Sequence, residues 1–327
     1  MYEFDEEFLG KLAALRAAGV EPYPSGLKVT HTAAELRLAH GELGADSRVE
    51  SADVTVGGRV MYRNRMGKAL FLRVVDRTGK IQVYLRREEV GDETFEALKS
   101  LDIGDFVWAR GFVMTTRTGE LSVQAREARL ASKILSAFPD RFHGMQDVEL
   151  RSRQRYVDLF VNDDTKEVFR RRSQIVRYLR EFFHERDFLE VETPILQVIP
   201  GGGIARPFVT HHNALDLDLY LRIAPELYLK RLLVGGMERV FEIGRNFRNE
   251  GISLRHNPEF TMIEWYQAYA DHRAMMDLTE ELFRHLCDQV LGTRTIRFGD
   301  LVIDLGKPWR RFTYHQAMRE LGGIAYD

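Results

Sequence analysis

The residues best suited to chemistry lie on either side of a polar loop in the second half of the chain. Two strand-like segments, ERVFEIGRNFRNE and EFTMIEWYQAYA, flank the loop GISLRHNP. If they pair as a hairpin, side-chain alternation places Arg248 and Glu250 on one face of the first strand. The same alternation gives the second strand a face made of Phe260, Met262, Glu264 and Tyr266.

If these two faces coincide, one surface collects an arginine, two carboxylates and two aromatic rings, and the loop adds Arg255, His256 and Asn257. Arginine binds phosphate or carboxylate through two hydrogen bonds, a phenyl ring stacks on a base, and carboxylates bind ammonium groups. The pattern therefore indicates a site for ligands with anionic, planar and ammonium groups. A hairpin that merely carries structural ion pairs fits the pattern equally well.

Length and composition limit the possible classes of protein. At roughly 150 residues per domain, 327 residues suggest two domains. The 47 basic and 49 acidic residues nearly balance, which excludes a uniformly basic surface and confines nucleic-acid contacts to local patches. Cys287 is the single cysteine, so a disulfide framework is excluded and an inert core thiol is expected. No apolar run approaches the ~18 residues of a membrane span, and we expect a cytoplasmic location.

The first half of the chain has the pattern of a small β-barrel. Five β-rich segments lie between Val54 and about Leu130, and Phe95, Leu98 and Leu101 predict a short helix between the third and fourth. This order is that of an OB-fold, a barrel that binds oligonucleotides, although other five-stranded barrels also fit. An Arg-rich connector follows, whose arginines at 151, 153 and 155 could touch phosphate or form an ordinary charged surface.

The second half predicts antiparallel strands with helices, an α+β fold. A long helix is expected to begin with a capping box formed by Asp164 and Glu167. The segment LDLDLYLRI alternates as a half-buried strand, and a later helix has Asp271 as its cap and Gly292 as its stop. The adjacent His211 and His212 are weak metal-site candidates, because neighbouring side chains on a strand point to opposite faces.

Several segments also carry a family resemblance. FRNEGISLRHNPEFTMIEWY resembles the second signature motif of class II aminoacyl-tRNA synthetases, and FLEVETPIL resembles the first. The stretch from IPGGGIARPF through APELYLKRL to FRNEG is similar to the lysine-specific branch, the lysyl-tRNA synthetases. The resemblance runs from about Val54 to the last residue. APELYLKRL favours lysine over the related aspartate and asparagine enzymes.

The resemblance implies a domain order. Residues 1–50 form a helical segment and connector, and 51–135 form a five-stranded OB-fold barrel that binds the tRNA anticodon. Residues 136–165 form a linker, and 166–327 form the first part of a class II catalytic domain, an antiparallel sheet flanked by helices and incomplete at its C-terminus.

The resemblance also implies roles for individual residues. Arg248 would hold the α-phosphate of ATP and the amino-acid carboxylate, and would act in catalysis with Glu250. The implied ATP-binding set is Arg248, Glu250, His256, Asn257 and Phe260, with Phe260 stacked on adenine. The implied lysine-binding set is Gly202, Glu226, Arg248, Glu264 and Tyr266. In the barrel, Phe71 and Gln82 would contact an anticodon base and Arg59 a phosphate or base, while Pro194 would lie at a dimer interface.

One part of the family pattern is not found. A third motif, rich in glycine and ending in an arginine, should follow the second, but nothing similar lies between Asp271 and Asp327. The family's magnesium ligands belong to that same region, so no metal ligand is assigned to this chain. The hypothesis is that these residues are a fragment with little activity alone.

Three functions remain open. In the first, lysine and ATP give lysyl-adenylate and pyrophosphate, and the lysyl group passes to tRNA(Lys); this requires ATP, Mg²⁺ and a homodimer, with no DNA or membrane partner. In the second, the chain is a tRNA anticodon-binding module with an impaired catalytic half. The third is a lysine ligase that modifies a protein, an interpretation that the barrel disfavours because such an enzyme does not read an anticodon.

Overall fold

The structure is a computed structural model that describes residues 4–137, 145–253 and 255–324. Part of the predicted linker, 138–144, and the last three residues lie outside the described residues. The chain divides into two compact units, Met1–Val161 and Asn162–Asp327. Within the described ranges, no helix combines the length and apolar character needed to cross a membrane.

The first unit is built around a closed barrel of five strands in the order β1-β2-β3-β5-β4, which confirms the strand and helix order predicted for an OB-fold. The barrel closes where β3 pairs with β5 in parallel. Its elements are α1 Glu6–Ala17, α2 Ala33–His40, β1 Arg48–Met66, β2 Ala69–Val75, β3 Lys80–Arg86, α3 Arg87–Val90, α4 Asp92–Leu98, β4 Phe106–Thr115, β5 Leu121–Ser132, α5 Val148–Arg153 and α6 Arg155–Val161.

Alternation along β2 and β3 separates the barrel interior from its outer surface. Leu70, Leu72 and Val74 on β2 are almost fully buried and belong to the same core as the apolar residues of β3. The intervening residues, Phe71 and Arg73, therefore point outward. The outer surface of β1, β2 and β3 is the one available to a ligand.

A buried lysine fastens the end of β5 to the rest of the first unit. The Lys133 side chain is 1% exposed, and its Nζ lies 2.9 Å from the fully buried carboxylate of Asp105 and 2.7 Å from that of Asp102. Lys11 of α1 lies 2.8 Å from the same Asp102. Burial alone would raise the pKa of Asp102, but hydrogen bonds from Lys11 and Lys133 outweigh it and hold that pKa below its ordinary value.

The arginines of the predicted connector are engaged in ion pairs within α5 and α6. Arg151 and Arg155 both contact the fully buried carboxylate of Asp158, and Arg153 lies 2.7 Å from Glu149. Of the two interpretations offered by the sequence, the structure favours the ordinary charged cluster over phosphate contacts.

The second unit contains short sheets and helices. Its main sheet has the order β11-β10-β6, with β10 and β11 antiparallel and β6 parallel to β10, and the other sheets have the orders β7-β9-β8 and β12-β13. Its elements are α7 Asp163–His184, β6 Leu189–Glu190, β7 Leu196–Gln197, β8 Val209–His212, β9 Leu217–Leu221, α8 Glu226–Val234, β10 Arg239–Phe247, β11 Glu259–Gln267, α9 His272–Leu286, a π-helical turn Cys287–Leu291, β12 Thr295–Phe298, β13 Leu301–Asp304 and α10 Tyr314–Glu320.

An aromatic core joins α7 to one face of the β10–β11 hairpin. The Phe183 ring stacks on Phe241 at a centroid distance of 5.0 Å and lies 5.2 Å from Trp265. Leu282 of α9 belongs to the same cluster. Cys287 is buried, as expected, and burial raises the pKa of its thiol, which keeps it protonated and unreactive. Because α7 and α9 cover this face, the opposite face of the hairpin is left for a ligand.

The predictions for the ends of helices and strands were partly confirmed. Asp271 caps α9, and Gly292 ends the following π-helical turn with a φ of 65°, as predicted. The capping box was wrong: Asn162 is the N-cap of α7, so Asp164 already lies in the first turn. Leu215 is 67% exposed because the chain turns there, and β9 begins two residues later.

We expect Lys133→Met to destabilise the first unit by about 3–5 kcal/mol, because the buried carboxylate of Asp105 would lose its counter-charge. The measurement is the urea midpoint at which β4 and β5 lose protection from hydrogen exchange. Arg117→Met, at the exposed tip of the β4–β5 hairpin, is the matched control. Equal midpoints for the two variants would show that the Lys133 ion pairs contribute nothing to stability.

Candidate functional site

The β10–β11 hairpin brings the two predicted faces together. The strands pair antiparallel without a register shift, so directly opposed residues share a face. On the face away from α7 and α9, the opposed pairs are Val240–Tyr266, Glu242–Glu264, Gly244–Met262 and Asn246–Phe260. We call this surface the ligand face. It runs from a carboxylate pair toward an aromatic ring at the loop end.

Arg248 extends the ligand face beyond the end of β10. Its backbone N–H donates to the carbonyl of Pro258 at 2.9 Å, which continues the pairing by one step. Its guanidinium carbon lies 5.2 Å from the centroid of the Phe260 ring. The Nε of Arg248 is buried and has no hydrogen-bond partner in the described part of the chain. A cationic fork beside an aromatic ring suits a phosphate next to a base.

The loop residues of the predicted nucleotide site lie on the surface. Glu250, His256 and Asn257 are all exposed. The ring Nδ1 of His256 lies 2.8 Å from the hydroxyl of Ser253, and the backbones of the same two residues are hydrogen-bonded to each other. The structure therefore brings Arg248 and Phe260 together and leaves the loop side chains open to solvent.

A half-buried carboxylate occupies the other part of the ligand face. The hydroxyl of Tyr266 donates to Glu264 at 3.1 Å. Burial raises the pKa of Glu264, and the nearby carboxylates of Glu226 and Glu242 raise it further. Burial and the charge of Glu264 likewise raise the pKa of the Tyr266 phenol. A carboxylate in this setting is stabilised by a cation, and an ammonium group would supply one.

Gly202 lies directly against Glu226. Its φ of 84° is in the left-handed region, where glycine is favoured. A β-carbon at this position would lie 3.0 Å from the Cβ of Glu226 and 3.1 Å from that of Ala224. The Glu226 carboxylate is 2.6 Å from Lys230 one helical turn away. The predicted lysine-binding residues Gly202, Glu226, Glu264 and Tyr266 therefore form one neighbourhood.

Sequence reasoning missed the ion pair that supports this neighbourhood. Arg222 and Glu242 are both buried and form a salt bridge. Arg222 also donates to the carbonyl of Arg245 at 2.9 Å and to the hydroxyl of Thr193 at 3.1 Å. That hydroxyl donates in turn to Glu242 at 2.7 Å. The charge of Glu242 is thereby neutralised internally, whereas Glu264 is left for a ligand.

Gly244 is the second residue that the sequence did not single out. A β-carbon built there would overlap the guanidinium of Arg222. Arg222 therefore lies across the ligand face at the Gly244–Met262 pair. Neighbouring Asn246 is 1% exposed, and neither its amide nitrogen nor its amide oxygen has a partner within the described residues. The only sequence signal for either residue was its position: Gly244, Asn246 and Arg248 are alternate residues of one strand and so lie on the same face.

The outer surface of the barrel carries a second group of predicted residues. Phe71 stacks on Tyr84 across β2 and β3, with centroids 4.6 Å apart and planes 13° apart. Gln82 donates to the hydroxyl of Ser122 at 2.9 Å. Phe71 and Gln82 thus share an outer face of the barrel. Tyr84 was not recognised from the sequence, because its pairing with Phe71 depends on cross-strand register.

Arg59 is held apart from that aromatic pair. The guanidinium carbon lies 4.4 Å from the ring of Phe106 and 4.2 Å from that of Phe160, and Nη1 donates to the carbonyl of Gly104 at 3.1 Å. Burial lowers its pKa. Strand pairing places Arg59 opposite Val75, four residues along β2 from Phe71. Its packing accounts for its presence without an RNA contact.

Pro194 and His211 are the remaining candidate residues from the sequence. Pro194 is exposed, and the apolar side chains that follow it are exposed as well: Ile195 by 41%, Leu196 by 48% and Ile199 by 78%. His211 lies 2.9 Å from Asp218 and 3.3 Å from Asp216 on the surface. Over the residues that the structure describes, no group of three or more His, Cys, Asp or Glu side chains could hold a metal ion.

These features define a two-unit architecture, an OB-type barrel with an aromatic outer face and an antiparallel hairpin with a ligand face. Comparison with known families agrees. Residues 147–327 match the family model described as tRNA synthetases class II (D, K and N), and residues 54–131 match the OB-fold nucleic acid binding domain. The chain belongs to the class II tRNA synthetases of the D, K and N group.

Among curated proteins, this chain is similar to lysine–tRNA ligases. It is 53% identical to that of Pelotomaculum thermopropionicum over 316 residues, 97% of this chain and 61% of the relative. It is 53% identical to that of an Enterobacter species over 315 residues, 95% of this chain and 62% of the relative. It is 52% identical to that of Salmonella typhi, with the same coverage as the Enterobacter protein. The chain thus spans 61–62% of the length of these relatives.

We expect Gly244→Ala to destabilise the second unit by about 1–3 kcal/mol, because the added methyl group would displace the Arg222 guanidinium from Glu242. Thermal unfolding is the measurement, monitored by tryptophan fluorescence in a Trp108→Phe background, so that the signal comes from Trp265 and Trp309 of the second unit. Gly251→Ala is the control, since a β-carbon at Gly251 would meet no atom within 4 Å. A stability loss no greater than that of Gly251→Ala would mean that the guanidinium moves aside freely.

We expect Glu264→Gln to raise the unfolding temperature at pH 8 and to have little effect at pH 4. The pKa of Glu264 is raised in the folded protein, so its protonated form favours folding, and this contribution is lost as pH rises through the raised pKa. Glutamine keeps the neutral form at every pH. Glu238→Gln, at an exposed position before β10, is the control. The expectation fails if both variants show the same pH dependence as the original chain.

Proposed function

We propose that this protein activates lysine with ATP to form lysyl-adenylate and transfers the lysyl group to tRNA(Lys), as a homodimer in the cytoplasm. The observation that carries the proposal is the ligand face of the hairpin. It combines Arg248 and Phe260 at one end with Glu264 and Tyr266 toward the other. Lysyl-adenylate has the corresponding groups: a phosphate and base at one end and an ammonium at the other.

The nucleotide would bind at the loop end. Phe260 would stack on adenine, and the neighbouring guanidinium of Arg248 would bind the α-phosphate. Glu250, His256 and Asn257 are exposed on the loop and would close over the nucleotide from that side. Magnesium would accompany ATP as a counter-ion of its phosphates; no described side-chain cluster is placed to hold it.

Lysine would bind toward the carboxylate end. The backbone of Gly202 and the carboxylate of Glu226 would hold the α-ammonium, since they lie against each other. Glu264 and Tyr266 would receive the ε-ammonium, whose charge would relieve the cost of the half-buried carboxylate. The Arg222–Glu242 pair fixes one side of this pocket without adding charge.

The activation step needs positioning and charge neutralisation more than covalent help from the protein. A carboxylate oxygen of lysine attacks the α-phosphorus of ATP, the new P–O bond forms, and the bond to the bridging oxygen breaks to release pyrophosphate. Arg248 would contact both the attacking carboxylate and the α-phosphate. Its fixed charge would offset the negative charge that increases on the phosphate during the displacement.

The barrel would bind the tRNA. Aromatic side chains on the outside of a barrel bind splayed bases, and Phe71 with Gln82 offers a ring face and an amide on one surface. A second candidate function, an anticodon-binding module with impaired catalysis, is supported by the barrel alone, which is a closed unit with its own core. The two candidates differ in whether the hairpin binds an adenylate.

The homodimer proposal is supported by the surface near Pro194. This proline and the apolar residues Ile195 and Ile199 are exposed on one short segment. Exposed apolar side chains that cluster on a soluble protein commonly mark a protein interface. A second copy of the chain, placed as in the family's first motif, would cover them.

We expect Arg248→Ala to weaken binding of a sulfamoyl analogue of lysyl-adenylate by about 30-fold or more, because a charged group of the analogue would lose its partner. Isothermal titration calorimetry of the full chain is the measurement. Arg245→Ala, on the opposite face of the same strand, is the matched control. Binding of an RNA hairpin by the barrel should persist in both variants. If the original chain binds the hairpin but not the analogue, the anticodon-binding module becomes the better description.

A further inference from the structure

Asn246 lies on the ligand face with an amide group that the fold itself does not use. The residue is 1% exposed, and neither its Nδ2 nor its Oδ1 has a hydrogen-bond partner within the described residues. A buried amide left in this state destabilises the folded chain. Two kinds of partner could satisfy it, a trapped water molecule or an atom of a ligand.

The backbone around Asn246 is held on both edges of β10. On one edge, Asn246 pairs with Phe260 of β11. On the other edge, the carbonyl of Arg245 accepts from Arg222 Nε, and the N–H of Phe247 donates to the carbonyl of Arg222, both at 2.9 Å. The strand therefore cannot shift to bring the amide to another protein group, so the partner must come to Asn246.

The position of Asn246 along the strand selects the part of the ligand that it would meet. Arg248 is the next residue on the same face, about 6.8 Å away, and its buried Nε also has no partner in the part of the chain that the structure describes. In the other direction, Glu264 lies four residues along β11 from Phe260, the residue opposite Asn246. Asn246 thus lies between the proposed phosphate end and the proposed ammonium end, nearest to the lysine carboxyl group that joins them.

We propose that Asn246 contacts the substrate, and that its Nδ2 donates to the lysine carboxylate oxygen that does not attack ATP. This oxygen becomes the carbonyl oxygen of lysyl-adenylate. Arg248 binds the attacking oxygen and the α-phosphate, so the two side chains divide the carboxylate between them. The inference rests on the proposed function for the identity of the ligand and for its direction along the face.

A neutral amide suits this oxygen better than a second cation would. The oxygen carries part of the negative charge in free lysine and is uncharged in the adenylate, and an amide N–H donates to either form. A cation would favour the charged form and so bind the substrate more tightly than the product of activation. The Oδ1 of Asn246 accepts from the α-ammonium on the adjacent carbon, which satisfies both ends of the amide.

Two ligands that differ at this oxygen test the contact. The sulfamoyl analogue of lysyl-adenylate keeps the carbonyl, whereas lysinol adenylate has a methylene in its place. Asn246→Leu, an apolar replacement of similar shape, should weaken binding of the sulfamoyl analogue by about 5- to 150-fold, because a buried acceptor loses its donor. The same variant should change the affinity for lysinol adenylate by about twofold or less, since that ligand has no acceptor there. Isothermal titration calorimetry of the full chain measures both.

The selectivity between the two ligands separates a substrate contact from a structural role, because a variant that only loosens the hairpin weakens both. Asn246→Ala removes the same donor with a smaller side chain and should show the same selectivity, so the comparison does not depend on how well leucine fits. Asn213→Leu, in the exposed turn before β9, is the matched control and should leave both affinities unchanged.

Each other result decides against the contact. If the original chain binds both ligands, and the Asn246 variants weaken both equally or neither, this inference is wrong and the proposed function stands. If the original chain binds neither ligand, the proposed function fails and this inference fails with it.

Discussion

The buried ion pair between Arg222 and Glu242 is the interaction on which the ligand face of the second unit depends. It joins the segment after β9 to the middle of β10, and Thr193 hydrogen-bonds both partners. An isolated buried charge would be strongly unfavourable, so neither residue is tolerated without the other. Because a β-carbon at Gly244 would overlap the guanidinium, the absence of a side chain there is part of the same arrangement. Burying the two charges has an unfavourable desolvation free energy, but the resulting salt bridge fixes where β9 lies against the hairpin.

The same ion pair sets the electrostatics of the pocket. Glu242 and Glu264 are directly opposite on antiparallel strands, and two free carboxylates so close would repel each other. Arg222 neutralises Glu242, and across the described ranges the half-buried Glu264 has no salt-bridge partner. Burial raises the pKa of Glu264, and the neighbouring carboxylates of Glu226 and Glu242 raise it further. A ligand with an ammonium group would complete the pattern, whereas a neutral side chain of similar length would leave the carboxylate as costly as before.

Period-two alternation explains how much could be predicted from the sequence. It placed Arg248, Phe260 and Glu264 on one face because, in an antiparallel hairpin without a bulge, alternate residues stay on the same face along both strands. The barrel order followed from five β-rich segments and one helical segment for a similar reason. Partners across separate elements could not be read in this way: Arg222 meets Glu242, and Phe71 meets Tyr84, only through tertiary register. The α7 start was also misjudged, because two candidate caps lie two residues apart and local chemistry does not choose between them.

The two faces of the hairpin differ in how well their groups are satisfied, and this difference is the strongest physical argument for a ligand. The face covered by α7 and α9 packs aromatic rings against one another in a single apolar cluster. The ligand face holds the buried Asn246 amide and the Arg248 Nε, both without partners in the part of the chain that the structure describes, and farther along it lies the Glu264 carboxylate, whose pKa is raised by burial. Each of these groups lowers stability in the unliganded chain. A sequence selected for stability alone would replace them with apolar side chains, so their concentration on one face indicates selection for binding.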